Sequence, residues 1–203
     1  MWASFLITGC AATDNSPSVH EQFTQLQNDP TLESATFAGG CFWCTEAALE
    51  AVPGVKEAIS GYTGGHVENP TYEQVVQENT GHREAVRVFY DPTQATYNDL
   101  LDYFWKSINP TDADGQFTDR GLSYAPAIFP HNEEQKRAAE ASKRALDESG
   151  RFDQPVITPI LKVGPFYPAE EYHQNYYQKQ NEHYERYKKG SGRDTYQKEV
   201  WGQ

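Results

Sequence analysis

Two cysteines stand three positions apart around a pair of large aromatic residues, in the order Cys41-Phe42-Trp43-Cys44. This CxxC spacing is typical of redox-active thiols and of half a metal site. The chain has 203 residues and three cysteines, too few for a framework of structural disulfides. We therefore interpret the pair as redox-active or metal-binding and not as a structural cross-link.

The residues on either side of the cysteines predict a strand, a turn and a helix. Residues 34–38 are small or β-branched, which favours a short strand, and residues 46–51 are strong helix formers. Cys41 is therefore expected at the turn where the helix begins. Unpaired backbone N–H groups and the positive end of the helix dipole favour a thiolate there, so we expect a lowered pKa for Cys41. Cys44 lies on the same helical face, within reach of a disulfide with Cys41.

A second informative residue lies on the clearest strand pattern of the chain. Polar and apolar positions alternate through residues 82–90. Glu84 shares one face with Val86 and Val88, so inward packing of that face would bury the carboxyl group and raise its pKa. Such a group could donate a proton near neutral pH. The alternative is a glutamate at the end of a strand that reaches water or pairs with an arginine.

The order of the predicted elements indicates a single α+β domain. Strand and helix patterns mix without a regular βαβ repeat, which predicts a sheet with helices packed mainly on one face. A capping-box pattern at Thr96 opens an amphipathic helix whose apolar stripe reaches Ile108. We expect residues 1–30 to form an N-terminal signal-like segment and linker, residues 31–187 the folded domain, and residues 188–203 a flexible tail.

Charge and hydropathy argue against several kinds of partner. The formal net charge is −12, and the predicted domain has no cluster of Lys and Arg that would bind nucleic acid. No apolar run approaches the roughly 20 residues that span a bilayer. A metal site built on the CxxC pair would need further ligands such as His82, His173 or His183. The sequence has no second CxxC and no closely spaced His pair to complete it.

The start of the chain carries a separate signal. Residues 7–10, Ile-Thr-Gly-Cys, resemble the box at which bacterial lipoproteins are cleaved and lipidated on the new N-terminal cysteine. Lipidation of Cys10 would place the protein in the periplasm or on a membrane. The alternative is a disordered tail with an incidental thiol on a cytoplasmic protein. One acyl anchor would change the location of the protein and not its chemistry.

Several separate motifs, in a fixed order, resemble those of the type A peptide methionine sulfoxide reductases. They are Gly40-Cys41-Phe42-Trp43 with Glu46, Gly61-Tyr62-Thr63-Gly64-Gly65, Asn69-Pro70-Thr71-Tyr72, Thr80-Gly81-His82-Arg83-Glu84-Ala85-Val86, Gly164-Pro165-Phe166-Tyr167 and Tyr172-His173-Gln174. The resemblance runs from about Thr36 to about Tyr184. It implies a two-layer α/β sandwich with a mixed sheet, related to the ferredoxin-like split βαβ arrangement.

The resemblance also implies a reaction, the reduction of methionine-S-sulfoxide, free or in proteins, to methionine. In this reaction Cys41 attacks the sulfoxide sulfur and becomes a sulfenic acid. Phe42 and Trp43 form the walls of the pocket for the substrate's methyl group. Glu84 protonates the sulfoxide oxygen so that the S–O bond can break.

Further residues take supporting roles by the same resemblance. Tyr72 and Tyr124 hydrogen-bond the sulfoxide oxygen, and Asp119 is a nearby carboxylate. Many members carry glycine at the position of Cys44 and resolve the sulfenic acid with a later cysteine, but no cysteine follows Cys44 here. As in the subgroup with a CFWC motif, Cys44 is the internal resolver, and its disulfide with Cys41 is reduced by thioredoxin or a similar dithiol. No bound cofactor is implied, and direct reduction of the sulfenic acid by an external thiol is the competing route.

Two other classes of function stay open at this point. A general CxxC thiol-disulfide oxidoreductase would use the same cysteines but would leave Glu84 and Tyr72 without a role. A non-enzymatic module would use the CxxC pair as a structural or metal-binding element.

Overall fold

The computed structural model describes residues 16–202 of the chain. Cys10 and its lipoprotein-like box lie outside the described residues. In chain order the elements are α1 Val19–Gln27, β1 Glu33–Ala38, α2 Phe42–Glu50, β2 Val55–Thr63, α3 Tyr72–Val76, β3 Arg83–Tyr90, α4 Tyr97–Ser107, β4 Gly115–Gln116, β5 Asp119–Arg120, β6 Ala127–Phe129, α5 Glu133–Asp147, β7 Phe166–Pro168, α6 Tyr176–Lys179, α7 Asn181–Gly190 and α8 Arg193–Trp201. Short 3-10 turns lie at Leu122–Tyr124 and Glu171–His173. Within the described residues, no helix combines the length and the apolar character that crossing a membrane requires.

Five strands form the main sheet in the order β6-β1-β3-β2-β7, and each neighbouring pair is antiparallel. The α+β class expected from the sequence is confirmed. The mixed character implied by the resemblance is reduced to one parallel bridge, between Ile128 and Ile160. The strand predicted from the alternating pattern is β3, which lies at the centre of the sheet and is buried from Glu84 to Tyr90.

The main core lies between this sheet and the helices α2 and α4. The rings of Phe37 on β1 and Phe104 on α4 pack with centroids 5.0 Å apart, and Leu49 of α2 and Leu100 of α4 are fully buried. Each such apolar side chain stabilises the fold by roughly 1.5–3 kcal/mol relative to its exposed state. This packing holds α2, whose first turn carries both cysteines, against the centre of the sheet.

The helix predicted to begin after Thr96 is confirmed as α4. The Thr96 hydroxyl accepts a hydrogen bond from the backbone N–H of Asp99, and the Asp99 carboxylate accepts one from the backbone N–H of Thr96 at 2.8 Å. Such a cap contributes about 1 kcal/mol. The helix ends at Ser107, one residue before the end of its apolar stripe, and Ile108 is still buried.

The opposite face of the sheet is covered by α1, in a segment that the sequence assigns to a linker. Ser18 caps this helix by accepting a hydrogen bond from the backbone N–H of Glu21. Phe23 stacks on Phe166 of β7 with centroids 5.5 Å apart, and the Arg87 guanidinium lies 4.8 Å from the centroid of Phe166. The surface that makes α1 stable comes from β3 and β7, which are distant in sequence, so local composition does not reveal it.

The end of the chain also differs from the expectation of a flexible tail at residues 188–203. In its described residues α7 continues to Gly190, and after a left-handed turn at Gly192, with a φ of 85°, α8 begins at Arg193. Arg193 is only 1% exposed. Lysines and glycines give this segment the composition of a linker, but the buried side chain of Arg193 attaches it to the domain.

Candidate active site

The site is built on the tight turn that precedes α2. Gly40 has a left-handed φ of 84°, and Cys41 is the N-cap residue of α2. A Cβ atom on Gly40 would lie 2.6 Å from Cβ of Gln116, and one on Gly39 would lie 2.6 Å from Oγ1 of Thr45. Glycine is therefore the residue that fits at both positions. The turn between strand and helix that the sequence predicts for Cys41 is confirmed.

Cys41 and Cys44 are free thiols that are 6% and 7% exposed. Burial raises the pKa of Cys41, and Cys44 raises it further through a hydrogen bond and its charge. The pKa of Cys44 is lowered, chiefly by its hydrogen bond with Cys41. Two thiols in contact resist carrying two charges, so the pair keeps one proton between them. The lowered pKa expected for Cys41 from its helix position is therefore wrong in this reduced state, because burial outweighs the helix terminus.

Arg193, in the first turn of α8, brings a buried positive charge to the thiols. Its Nη1 lies 3.2 Å from Oδ2 of Asp119, and its charge favours the thiolate form of both cysteines. Tyr187 on α7 donates a hydrogen bond to the same oxygen of Asp119 and also hydrogen-bonds Cys41. The Asp119 carboxylate thus acts on the thiols through the two residues that it positions.

Glu84 lies on β3 directly beneath the start of α2. The side chain is 2% exposed and accepts a hydrogen bond from the backbone N–H of Phe42 at 2.9 Å. Burial raises the pKa of this carboxyl group well above its ordinary value, and a charge on Cys41 raises it further. Val86 and Val88 on the same strand are fully buried, as the alternating pattern predicts. The carboxyl group is therefore protonated at neutral pH and faces protein instead of water.

Aromatic side chains form one wall of the site. The Phe42 ring lies 4.8 Å from His173, and Trp43 stacks on Tyr176 with centroids 3.8 Å apart and planes 6° from parallel. The Nε1–H group of Trp43 donates a hydrogen bond to Nδ1 of His173 at 3.1 Å. Burial lowers the pKa of His173 to about 4, so the ring is neutral and this nitrogen can accept. The indole of Trp43 is thus fixed in position from two sides.

Two tyrosines supply hydroxyl groups next to the thiol and the acid. Tyr72 begins α3 and Tyr124 ends a 3-10 turn, and their hydroxyl groups form a hydrogen bond with each other. Burial raises the pKa of both phenols, and a charge on Glu84 or Cys41 would raise it further. Both hydroxyl groups stay protonated at neutral pH and can donate hydrogen bonds to an oxygen bound beside Glu84.

Two glutamates that the sequence does not single out hold these tyrosines in place. Glu170 accepts a hydrogen bond from the backbone N–H of Tyr72 at 2.9 Å. Glu78 has a left-handed φ of 61° and accepts a hydrogen bond from the backbone N–H of Leu122 at 2.7 Å. The second contact fixes the 3-10 turn that ends at Tyr124.

The structure therefore gathers the predicted thiols, acid, hydroxyl groups and aromatic walls around the first turn of α2. The sequence analysis missed a set of residues that surround the thiols or position these groups, namely Glu78, Glu170, Tyr184, Tyr187 and Arg193. Tyr184 and Tyr187 recur at helical spacing, a signal that could have located α7, whereas Arg193 has no local signal. Among residues 16–202, no group of three or more His, Cys, Asp and Glu side chains is placed to hold a metal ion.

Comparisons with known proteins agree with this arrangement. Residues 33–203 match the family described as peptide methionine sulfoxide reductase. The chain is 57% identical over 170 residues to peptide methionine sulfoxide reductase MsrA of Bacillus subtilis (strain 168), which covers 84% of this chain and 96% of the relative. It is 54% identical over 171 residues to the MsrA of Listeria monocytogenes serotype 4b (strain CLIP80459), covering 84% and 97% of the two chains.

Solved structures give the same result. Methionine sulfoxide reductase A of Corynebacterium diphtheriae superposes with a TM-score of 0.67 at 30% identity, covering 76% of this chain and 78% of that one. Mxr1 of Saccharomyces cerevisiae in its reduced form gives a TM-score of 0.68 at 29% identity, with 75% and 88% of the chains covered. Because the family match spans most of the sequence and the fold agrees, this chain belongs to the type A peptide methionine sulfoxide reductases.

Proposed function

We propose that this chain reduces methionine-S-sulfoxide, free or within proteins, to methionine, and so repairs proteins after oxidative damage. The observation that carries the proposal is the buried, protonated carboxyl group of Glu84 beside Cys41. Reduction of a sulfoxide needs a nucleophilic sulfur and an acid in the same site, and the first turn of α2 joins the two.

The first step moves an oxygen atom from the substrate to Cys41. The Cys41 sulfur attacks the sulfoxide sulfur while Glu84 gives its proton to the sulfoxide oxygen, which allows the S–O bond to break. Methionine leaves, the oxygen stays on Cys41 as a sulfenic acid, and the proton lost by the thiol replaces the one given by Glu84. The net change is the transfer of one oxygen atom, with no net gain or loss of protons.

The walls of the site bind and orient the substrate. Tyr72 and Tyr124 donate hydrogen bonds to the sulfoxide oxygen and hold it beside Glu84. Phe42 and Trp43 supply an apolar surface for the methyl group on the sulfoxide sulfur. Because Trp43 is already fixed by stacking and by its hydrogen bond, little side-chain entropy is lost when the substrate binds.

Cys44 then resolves the sulfenic acid. Its thiolate attacks the Cys41 sulfur, the Cys41 oxygen leaves as water, and a Cys41–Cys44 disulfide forms. The hydrogen bond between the two sulfurs in the reduced protein supports this step, since it shows that they meet without movement of another segment. A dithiol protein such as thioredoxin restores both thiols, and no bound cofactor takes part. Direct reduction of the sulfenic acid by an external thiol is the competing route.

The two alternative classes of function fit the site less well. A general disulfide oxidoreductase gives no role to a protonated Glu84 or to the hydroxyl groups of Tyr72 and Tyr124. A structural or metal-binding module likewise gives no role to a pair of free thiols next to a buried acid. The arrangement is specific to chemistry in which an oxygen atom is protonated while sulfur is attacked.

The test is a single turnover with each epimer of methionine sulfoxide and no reductant. We expect about one methionine per enzyme from the S epimer only, and peptide mapping should locate a Cys41–Cys44 disulfide afterwards. Cys41→Ser should release no methionine. Turnover in that variant, or methionine formed from the R epimer alone, would contradict the proposal.

The location of the enzyme depends on Cys10, which lies outside the described residues. We propose that lipidation at Cys10 would anchor the enzyme to a membrane, and that without it the enzyme would be cytoplasmic. Mass spectrometry of the N-terminal peptide from cell fractions decides between the two.

A further inference from the structure

A cleft of about 540 Å³ opens between α2, α4, α7 and α8. Cys44 lines it, whereas the residues that line it include neither Cys41 nor the aromatic wall around Trp43. The cleft is therefore distinct from the proposed sulfoxide-binding site, although both reach the same pair of thiols. None of the steps derived above uses it.

One side of the cleft is a stripe of small side chains on α2. Cys44, Ala47, Ala48 and Ala51 recur at the spacing of one helical face and all line the cleft. From Cys44 to Ala51 the helix rises by roughly 10 Å, which is the length of about three residues of extended chain. The small side chains leave a groove of that length beside the helix, with Cys44 at one end.

At the Cys44 end of the groove lies an unpartnered cation. Arg193 lines the cleft and is 1% exposed, and while its Nη1 binds Asp119, its Nε and Nη2 have no hydrogen-bond partner among the described residues. Buried N–H groups of a charged side chain are costly without an acceptor. A negatively charged sulfur arriving at Cys44 would supply that acceptor.

We propose that this groove is where a dithiol protein inserts the extended segment that carries its reactive cysteine, and that the incoming thiolate attacks Cys44 and not Cys41. The inference rests on the proposed function, because the Cys41–Cys44 disulfide is the bond attacked. Substrate and reductant then reach the two sulfurs from different sides of α2.

The exchange balances in two steps. The reductant's first thiolate forms a bond with the Cys44 sulfur, the Cys41–Cys44 bond breaks, and the electron pair leaves on Cys41 as a thiolate. The reductant's second thiolate then attacks its own first sulfur and releases the Cys44 thiolate. The reductant is oxidised to a disulfide by two electrons, and the enzyme returns to the dithiol state. Arg193 faces the sulfurs on which negative charge spreads during the first step.

The shape and lining of the groove favour a chain segment over a small thiol. Its far end offers polar groups for a peptide backbone, including Gln197 and Ser107, next to ion pairs such as Lys106 with Asp102 at 2.6 Å. A small thiol would need only the Cys44 end. A dithiol on one protein also releases itself from Cys44 by an intramolecular step, which has a high effective concentration.

The first experiment maps the attacked sulfur. The enzyme, oxidised by one turnover of substrate, is mixed with a bacterial thioredoxin variant that keeps only its attacking cysteine. We expect a mixed disulfide on Cys44, and a mixed disulfide on Cys41 would overturn the proposal. The preceding turnover also reports on the proposed function, because absence of methionine at that stage would indicate failure of the sulfoxide chemistry itself.

The second experiment fills the groove at a distance from the thiols. Ala51→Trp, at its exposed far end, should slow reduction of the disulfide by reduced thioredoxin by roughly tenfold and change reduction by dithiothreitol by less than about twofold. Ala141→Trp, on the exposed face of α5, is the matched control and should change neither rate. Ala48→Trp, one turn closer to Cys44, should slow both reductants.

The outcomes separate the possible occupants of the groove. If Ala51→Trp slows thioredoxin and dithiothreitol equally, the groove serves any thiol and the extended segment is refuted. If neither Ala51→Trp nor Ala48→Trp slows thioredoxin, the groove is not the route of entry. In each variant the single-turnover yield of methionine should stay that of the wild type.

Discussion

The carboxyl group of Glu46 joins α2 to the C-terminal aromatic segment, and its titration offers a quantitative test of the structure. Glu46 is 0% exposed, and its two oxygens accept hydrogen bonds from the Ser60 hydroxyl at 2.5 Å and from the backbone N–H of Asn175 at 2.6 Å. Burial raises the pKa from 4.5 to about 8 in spite of these hydrogen bonds. At neutral pH the group is therefore neutral in the folded protein and ionised in the unfolded chain.

The sign and size of the pH effect follow from this difference. Because the folded pKa is raised above the unfolded value, the group costs no stability below pH 4.5, and stability is lost as the pH rises from 4.5 towards 8. At about 1.4 kcal/mol per pH unit, the loss of unfolding free energy between pH 5 and pH 7 is about 2.5 kcal/mol. The total cost at pH 7 is about 3.3 kcal/mol.

Glu46→Gln should remove this dependence. The amide oxygen can still accept the hydrogen bond from Asn175, and the NH₂ group can donate to the Ser60 oxygen, so the variant reproduces the neutral acid. We expect the variant to be about 3 kcal/mol more stable than the wild type at pH 7 and within about 0.5 kcal/mol of it at pH 4. In thermal unfolding this corresponds to a Tm higher by about 6–12 °C at pH 7.

Urea unfolding of both proteins at several pH values between 4 and 8 measures the difference directly. Glu140→Gln, on the exposed face of α5, is the matched control and should leave the pH slope unchanged. Parallel pH curves for the wild type and Glu46→Gln would refute the reasoning, because they would mean that Glu46 has the same pKa in the folded and unfolded states. Single-turnover sulfoxide reduction should persist in Glu46→Gln, since its carboxyl group binds Ser60 and Asn175 and takes no part in the proposed reaction.

Three further predictions concern the thiols and the acid. Cys44→Ser should still release one methionine per enzyme but lose thioredoxin-supported recycling, and unimpaired recycling would show that a reductant reaches Cys41 directly. Glu84→Gln should slow the single turnover by about 10²-fold or more, and because the acid works only below its raised pKa, the wild-type rate should fall as the pH rises past that value. An unchanged rate with a flat pH profile in Glu84→Gln would remove the acid role. Arg193→Met should move the pH profile of cysteine alkylation upwards, Arg193→Lys should restore it in part, and identical profiles would show that the guanidinium does not stabilise the thiolate.

Features set by neighbouring residues could be predicted from the sequence. The start of α4 depends on Thr96 and Asp99, three residues apart, and the burial of Glu84 follows from the alternation of its own strand. The turn before Cys41 likewise depends on two adjacent glycines. In each case the physical cause lies within a few residues, so the pattern alone contains it.

Features that depend on distant partners could not be predicted in this way. Arg193 is buried because Asp119, 74 positions earlier, binds its guanidinium, and the surrounding lysines and glycines have the composition of a linker. The pKa of Cys41 was misjudged for the same reason. The helix terminus next to it is local, but the burial that outweighs it comes from the whole site, including α7 and α8.

The position of Cys44 explains why an ordered C-terminal segment suits this enzyme. A resolving cysteine near the end of the chain would have to be carried to Cys41 by movement of that segment. Here both thiols lie in the first turn of α2, so the disulfide can form while α7 and α8 stay packed. Those helices are then free to serve as a wall that supplies Tyr187 and Arg193 to the thiols. The loss of a mobile cysteine and the gain of a buried arginine are two consequences of the same change in where the disulfide is made.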